Sequence, residues 1–184
     1  GISVISLIDP QNPDEVAFIP GPHSLWRDIK THSHYAYVTT EGTSSGTGMQ
    51  IIDLSQLPDT ATLVNTYDST FTSAHNLFID NDFAYIVGTS AGGMHLLDLS
   101  NPVNPSETSR YGDFLYIHDV YVWNDTAIAC AGSSQFYEMV NLTNKNNPQL
   151  ISQGLSLPGI YAHSGWMTED KRYFIGCEES DVRD

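Results

Sequence analysis

Four segments of this chain superimpose without gaps, starting at Trp26 (WRDIKTHSHYAYVTTE), Ala74 (AHNLFIDNDFAYIVGT), Ile117 (IHDVYVWNDTAIACAG) and Ala162 (AHSGWMTEDKRYFIGC). Their second residues are Arg27, His75, His118 and His163, and ten residues later stand Tyr37, Tyr85, Ile128 and Tyr173. A second series runs in step with the first and aligns Asp9, Asp53, Asp98 and Asn141, and across the two series the spacings between equivalents run from 43 to 48 residues. Self-similarity at about 45 residues is the pattern of a repeat architecture in which each unit buries its apolar faces against its neighbours.

Each repeat reads as four short strands. A first strand such as His75 to Asp80 turns at Asn81-Asp82 and returns as Phe83 to Thr89. The equivalent turns are Asn124-Asp125 and Glu169-Asp170, residue types suited to tight hairpins. A third strand ends at the recurrent Asp or Asn, whose side chain is expected to accept a backbone N–H two residues onward. After a Pro- and Asn-rich connection, a fourth strand leads into the next repeat. No long apolar stretch has helical spacing. The expected fold is all-β: a β-propeller of four-stranded antiparallel blades, about four blades' worth.

The expected division is a half blade at 1–25, blades at 26–73, 74–116 and 117–161, and a half blade at 162–184. The two end halves could complete one blade and close a four-bladed ring. Alternatively, the chain is an arc of a larger propeller.

The segments around Trp26, Met49, Ala74, Ile117 and Ala162, together with Gly92 to Pro105 (GGMHLLDLSNPVNP), resemble the LVIVD-repeat, choice-of-anchor B family in order and spacing over nearly the whole chain. The resemblance implies a secreted bacterial propeller held at the cell surface by a C-terminal sorting signal, and favours the view that the chain is an arc of a larger propeller of six or seven blades. Neither a leader nor an anchoring tail is recognisable. Gly1 rather than Met opens the sequence just before the strand-like Ile2 to Ile8, as expected of a cut or truncated terminus.

Composition narrows the partners. The chain is 40% hydrophobic, enough for a core, and its 7 Lys and Arg against 22 Asp and Glu give a formal charge of −15. That charge repels phosphate backbones and anionic lipid, so nucleic acid is not an expected partner. No apolar run reaches the roughly 18 residues of a membrane span, so this segment is expected not to insert in a membrane. Cys130 and Cys177 show no metal-finger spacing, and either one disulfide or two buried thiols fits them.

His75, His118 and His163 begin successive first strands, which in a propeller lie near the mouth of the central channel. Three imidazoles with an open position suit zinc, copper or iron. Each His could instead fasten one blade to the next, a reading that Arg27 at the fourth position supports because guanidinium binds no metal and prefers carboxylates such as Asp28 or Asp119. Proton transfer is a third use of the same residues. Glu41, Glu178, Glu179 and Asp181 follow second strands and should lie on the same end. There they are either calcium ligands or solvated loop acids, and Glu178 is the candidate fourth metal ligand.

Trp26, Tyr116 and Tyr161 flank the first strands and could stack on a sugar or anchor a protein, whereas Trp166 is expected to be buried. With Arg27, Asp28, Glu41 and Asp119 they make up the candidate ligand face. The segment from Glu41 to Gly48 is the Gly/Ser/Thr-rich loop of the chain. It lacks the Lys of a phosphate-binding loop and reads as either a recognition loop or simple loop variation. Two Asn-x-Thr sequons, at Asn124 and Asn141, matter only where secreted proteins are glycosylated.

The leading expectation is an extracellular or cell-surface interaction module with a protein or glycan ligand. The alternative is a metal-dependent hydrolase, lyase or oxidase using the three histidines. Function should concentrate where the repeat symmetry breaks, at the Arg27 blade with its loop and at the acidic end beyond Cys177.

Overall fold

The protein was analysed as a computed structural model that describes residues 1–42, 47–154 and 159–180. Sixteen strands follow in order: β1 (Ile2–Ser6), β2 (Asp14–Ile19), β3 (Ile29–His32), β4 (Tyr35–Thr39), β5 (Met49–Asp53), β6 (Thr62–Tyr67), β7 (Asn76–Asp80) and β8 (Phe83–Val87). They continue as β9 (Met94–Asp98), β10 (Ser106–Tyr111), β11 (Asp119–Trp123), β12 (Thr126–Cys130), β13 (Tyr137–Asn141), β14 (Gln149–Gln153), β15 (Ala162–Met167) and β16 (Phe174–Glu178). They form three four-stranded antiparallel meanders, β3 to β6, β7 to β10 and β11 to β14, flanked by the two-stranded sheets β1-β2 and β15-β16. No helix occurs among the described residues, so none is long and apolar enough to cross a membrane. The fold is all-β, built of propeller blades.

Period-two alternation supplies the core. In β8, Ala84 and Ile86 face the preceding blade, with Tyr37, Met49 and Ile51, while Tyr85 and Val87 face the following one, with Val120, Val122 and Ala129. Both faces of β8 are therefore apolar, as in a strand covered on both sides. Each fully buried side chain of this size contributes about 1.5 to 3 kcal/mol. The β1-β2 sheet packs on the β3 to β6 blade through Ile2, Ile19, Val38 and Ile52.

The turns follow from local chemistry. Asn81 (φ 52°), Asn124 (φ 46°) and Asp125 (φ 55°) take the left-handed conformation that two-residue hairpins need and Asn and Asp tolerate. The recurrent Asp or Asn at or just after each third strand accepts the amide two residues on: Gln11 to Asp9 at 3.1 Å, Ser55 to Asp53 at 2.7 Å, Ser100 to Asp98 at 2.7 Å and Thr143 to Asn141 at 2.9 Å.

The last repeat departs from the expected register. Residues 168–173 make a six-residue connection between β15 and β16 in place of a two-residue turn at Glu169-Asp170, and Asp170 instead accepts from Thr168 Oγ1 at 2.6 Å. Trp166 therefore pairs with Ile175, whereas Phe78 pairs with Tyr85 and Tyr121 with Ile128. Ile175, not Tyr173, is the structural equivalent of Tyr85, and the gapless alignment fails there by two residues. Trp166 is 60% exposed rather than buried, because no further strands cover the outer face of β15 and β16 among the described residues.

Candidate functional site

One set of hydrogen bonds both joins the blades and places the histidines. The residue before each His bonds to the end of the preceding blade's second strand: Ala74 N–H to the Thr40 carbonyl at 2.9 Å, and Ala162 N–H to the Gly132 carbonyl at 3.1 Å. At the middle boundary the donor is reversed, with Gly88 N–H reaching the Ile117 carbonyl at 2.6 Å. Gly88 (φ 62°) has no substitute here, since a Cβ would lie 2.3 Å from that of His75. Each imidazole is thereby held one residue inside a blade junction.

The result is a continuous row of rings. Trp26 stacks on His75 at 4.7 Å, the His75 and His118 rings are 4.2 Å apart, and those of His118 and His163 are 4.4 Å apart. Tyr161 meets the His118 ring edge-on at 5.4 Å, and Tyr116 meets it at 6.3 Å. His75 and His118 are buried, whereas Trp26 and Tyr116 are partly open to solvent.

Hydrogen bonds assign the ring nitrogens. His118 Nδ1 is 2.9 Å from the His163 carbonyl, an acceptor only, so Nδ1 carries the proton and Nε2 the lone pair. His75 Nδ1 is 2.7 Å from Glu41 Oε1, and its buried Nε2 has no partner among the described residues. His163 Nδ1 lies 3.2 Å from Ser164 Oγ, and its Nε2 lies 4.0 Å from Glu179 Oε2. Burial first, then the neighbouring His75, hold His118 below the ordinary histidine range, favouring the neutral ring. Burial, with Tyr161, Glu41 and Glu179 nearby, pushes the Tyr116 hydroxyl up to about 12.

His118, His163 and Glu179 can together hold a metal ion, one ligand atom from each lying within 4.8 Å of the others. Glu178 ends β16 opposite Ala162, and it is the next residue, Glu179, whose carboxylate approaches His163. Asp181 and residues 43–46 of the Glu41 to Gly48 loop lie outside the described residues.

Arg27 does not find the carboxylates expected of it. Its Nη2 donates to the Pro22 carbonyl, while Asp28 pairs with Lys30 Nζ at 2.5 Å and Asp119 accepts from Asn76 Nδ2 at 2.8 Å. The reason is position: Arg27 points back along its own chain toward Gly21 and Pro22, and the acids occupy the next register of the inner strands.

Asp28 and Asp119 of that register were singled out in the sequence as ligand-face candidates, but the register was not read as a series. Asp28, Asn76, Asp119 and Ser164 each follow the Arg or His, and Asp28 also accepts the Leu77 amide at 3.3 Å across the blade boundary. Burial, against a backbone hydrogen bond from Val120, raises Asp119 to about 6. A second unread series is Gln50, His95 and Glu138, buried polar residues one place into the third strands β5, β9 and β13. His95 Nδ1 is 2.6 Å from Glu107, and Tyr111 donates to Glu138 at 2.9 Å. The sequence signal for both series was simple column-by-column alignment of the repeats.

Neither cysteine is in a disulfide; Cys130 is buried and Cys177 is exposed rather than buried. A search of curated proteins finds no match to the chain. Residues 72–113, the β7 to β10 blade together with the approach to His75, match the family model of the LVIVD repeat.

Proposed function

We propose that this chain is an interaction module acting outside the cell or at its surface, and that it binds a protein or glycan through the end of the blades that carries the histidine row. The observation that supports this reading is the gathering of Trp26, Tyr116 and Tyr161 around that row, with the carboxylates of Glu41 and Glu179 beside them. Partly exposed rings held by fixed neighbours give large contact area at little entropic cost, which is why such residues anchor both sugar and protein ligands. Next to them, a cleft of about 240 Å³ is lined by His23, Ser24, Leu25, Glu41 and Gly42, giving the face a concave element. The Glu41 carboxylate in its lining and the net charge of −15 select neutral or basic ligands over anionic ones.

The test is a binding survey with soluble polysaccharides and extracellular matrix proteins as probes, comparing the wild type with a Tyr116→Ala/Tyr161→Ala variant whose circular dichroism is unchanged. Binding that weakens tenfold or more in the variant supports the reading. An absence of any binder, or binding indifferent to both tyrosines, overturns it.

A further inference from the structure

We propose that His118, His163 and Glu179 form a site for a divalent transition metal of the zinc class, with one coordination position left for water or a ligand oxygen. The site does not depend on the interaction reading above.

Three independent features support it. The first is proximity: in tetrahedral zinc sites, ligand atoms about 2.1 Å from the metal sit about 3.4 Å from one another. The three candidate atoms already lie within 4.8 Å, and the His163 to Glu179 pair lies at 4.0 Å. Small rotations of two half-exposed side chains close the difference, since His163 and Glu179 are 31% and 58% exposed at their side chains.

The second is tautomer. A metal takes the nitrogen lone pair, and ligating histidines characteristically donate their other N–H to a carbonyl or carboxylate that fixes the ring. His118 meets this condition across a blade junction, its Nδ1–H bound to the His163 carbonyl, so Nε2 is presented as a lone pair on a buried, oriented ring. One ligand's backbone thus orients the other ligand's side chain, and replacing the His163 side chain leaves that carbonyl in place.

The third is an unpartnered buried nitrogen. His75 Nε2 has no partner among the described residues, although its Nδ1 is paired with Glu41 and its ring lies 4.2 Å from that of His118. Leaving such an atom unsatisfied is costly, and buried polar atoms nearly always find a partner. Water on a metal at the adjacent His118 would donate to it. In this arrangement His75 positions the fourth ligand rather than binding the metal.

The donor set also chooses the metal. Two imidazoles and one carboxylate suit zinc, cobalt or ferrous iron, whereas calcium takes six to eight oxygens and gains little from nitrogen.

The test titrates apo-protein with cobalt(II), read by visible absorption and by calorimetry. One equivalent should bind with the intense visible bands of a four- or five-coordinate ion, and zinc should displace it. His163→Ala and Glu179→Gln alter half-exposed side chains and should leave circular dichroism and melting unchanged while weakening binding at least tenfold each. His75→Ala should retain the metal and shift its visible spectrum. Binding without stoichiometry, or binding that both His163→Ala and Glu179→Gln leave intact, would overturn the site and assign the metal to scattered surface histidines such as His23 and His34.

Discussion

The indole of Trp26 lies flat on the imidazole of His75, with centroids 4.7 Å apart and planes 9° from parallel, while its Nε1–H donates across the blade boundary to the His75 carbonyl at 2.8 Å. Two interactions from one side chain thus hold the ring row to the β3 to β6 blade. Trp26→Phe keeps a stacked ring and loses the hydrogen bond, for an expected cost of about 1 kcal/mol. Trp26→Ala loses both, and because Trp26 is partly exposed the expected cost is about 2 to 3 kcal/mol. Urea unfolding of the two variants measures the difference.

Asp119 gives the inner strands a pH dependence of definite sign. Its carboxyl is raised from 3.8 to about 6 by burial, so the folded state holds the proton more tightly than the unfolded chain. The resulting stabilisation is full below 3.8 and is lost as pH rises through about 6. Asp119→Asn keeps the Oδ1 that accepts from Asn76 and Val120 and removes the charge. It should be neutral at the acid end of this window and stabilise the protein by about 2 to 3 kcal/mol above it, a shift of about two units being worth that much. Unfolding free energies of both proteins across that range provide the check, and an Asn variant less stable than wild type at neutral pH would contradict it.

How much of this was legible in the sequence depended on whether a residue's role is local. Asp9, Asp53, Asp98 and Asn141 are tied to amides two residues away, so alignment alone disclosed their function as turn formers. The histidine column was equally plain, because the junction bonds at Ala74, Ile117 and Ala162 fix its place in the three repeats that carry it. Non-local relationships were hidden. Tyr173 and Ile175 are both large and apolar, so a connection two residues longer than a gapless alignment allows left no mark on the pattern. Of the consecutive acids Glu178 and Glu179, strand pairing decides which approaches His163, and pairing shifts register between Ala162 and Ser164. Arg27 turned to a backbone carbonyl instead of a carboxylate because chain direction outweighed charge preference at that point.

The hairpin between β11 and β12 is a test of backbone conformation with side-chain packing held aside. Asn124 and Asp125 both have positive φ, at 46° and 55°, in a region that L-residues other than Asn and Asp enter at a cost of about 1 to 2 kcal/mol. Asn124→Gly should be close to neutral and Asn124→Ala should destabilise by about 1 kcal/mol. Thermal melts that rank Ala at or above Gly would show that the turn does not hold this conformation in solution.

The buried pair of His95 and Glu107 joins two strands of one blade through a side-chain contact. His95 is fully buried in β9, its Nδ1 lies 2.6 Å from Glu107 Oε2 in β10, and its Nε2 lies 3.0 Å from Thr89 Oγ1. Every polar atom of the ring is thus engaged, and the pair ties the outermost strand to the third. Glu107→Ala leaves Nδ1 facing apolar neighbours, with Phe71 edge-on at 5.2 Å and the Thr70 hydroxyl, 3.4 Å away, as its remaining contact. A buried polar atom that loses its main partner costs about 1 to 3 kcal/mol, more where charge is involved. Glu107→Gln retains a hydrogen-bonding oxygen at the same reach and should recover at least half of the loss. A Glu107→Ala/His95→Leu double variant removes both partners and should be more stable than Glu107→Ala alone, because no polar atom is then stranded. Chemical denaturation of the three variants gives the cycle, and a double variant less stable than the single one would mean that the cavity shape, rather than the pairing, sets the requirement for His95.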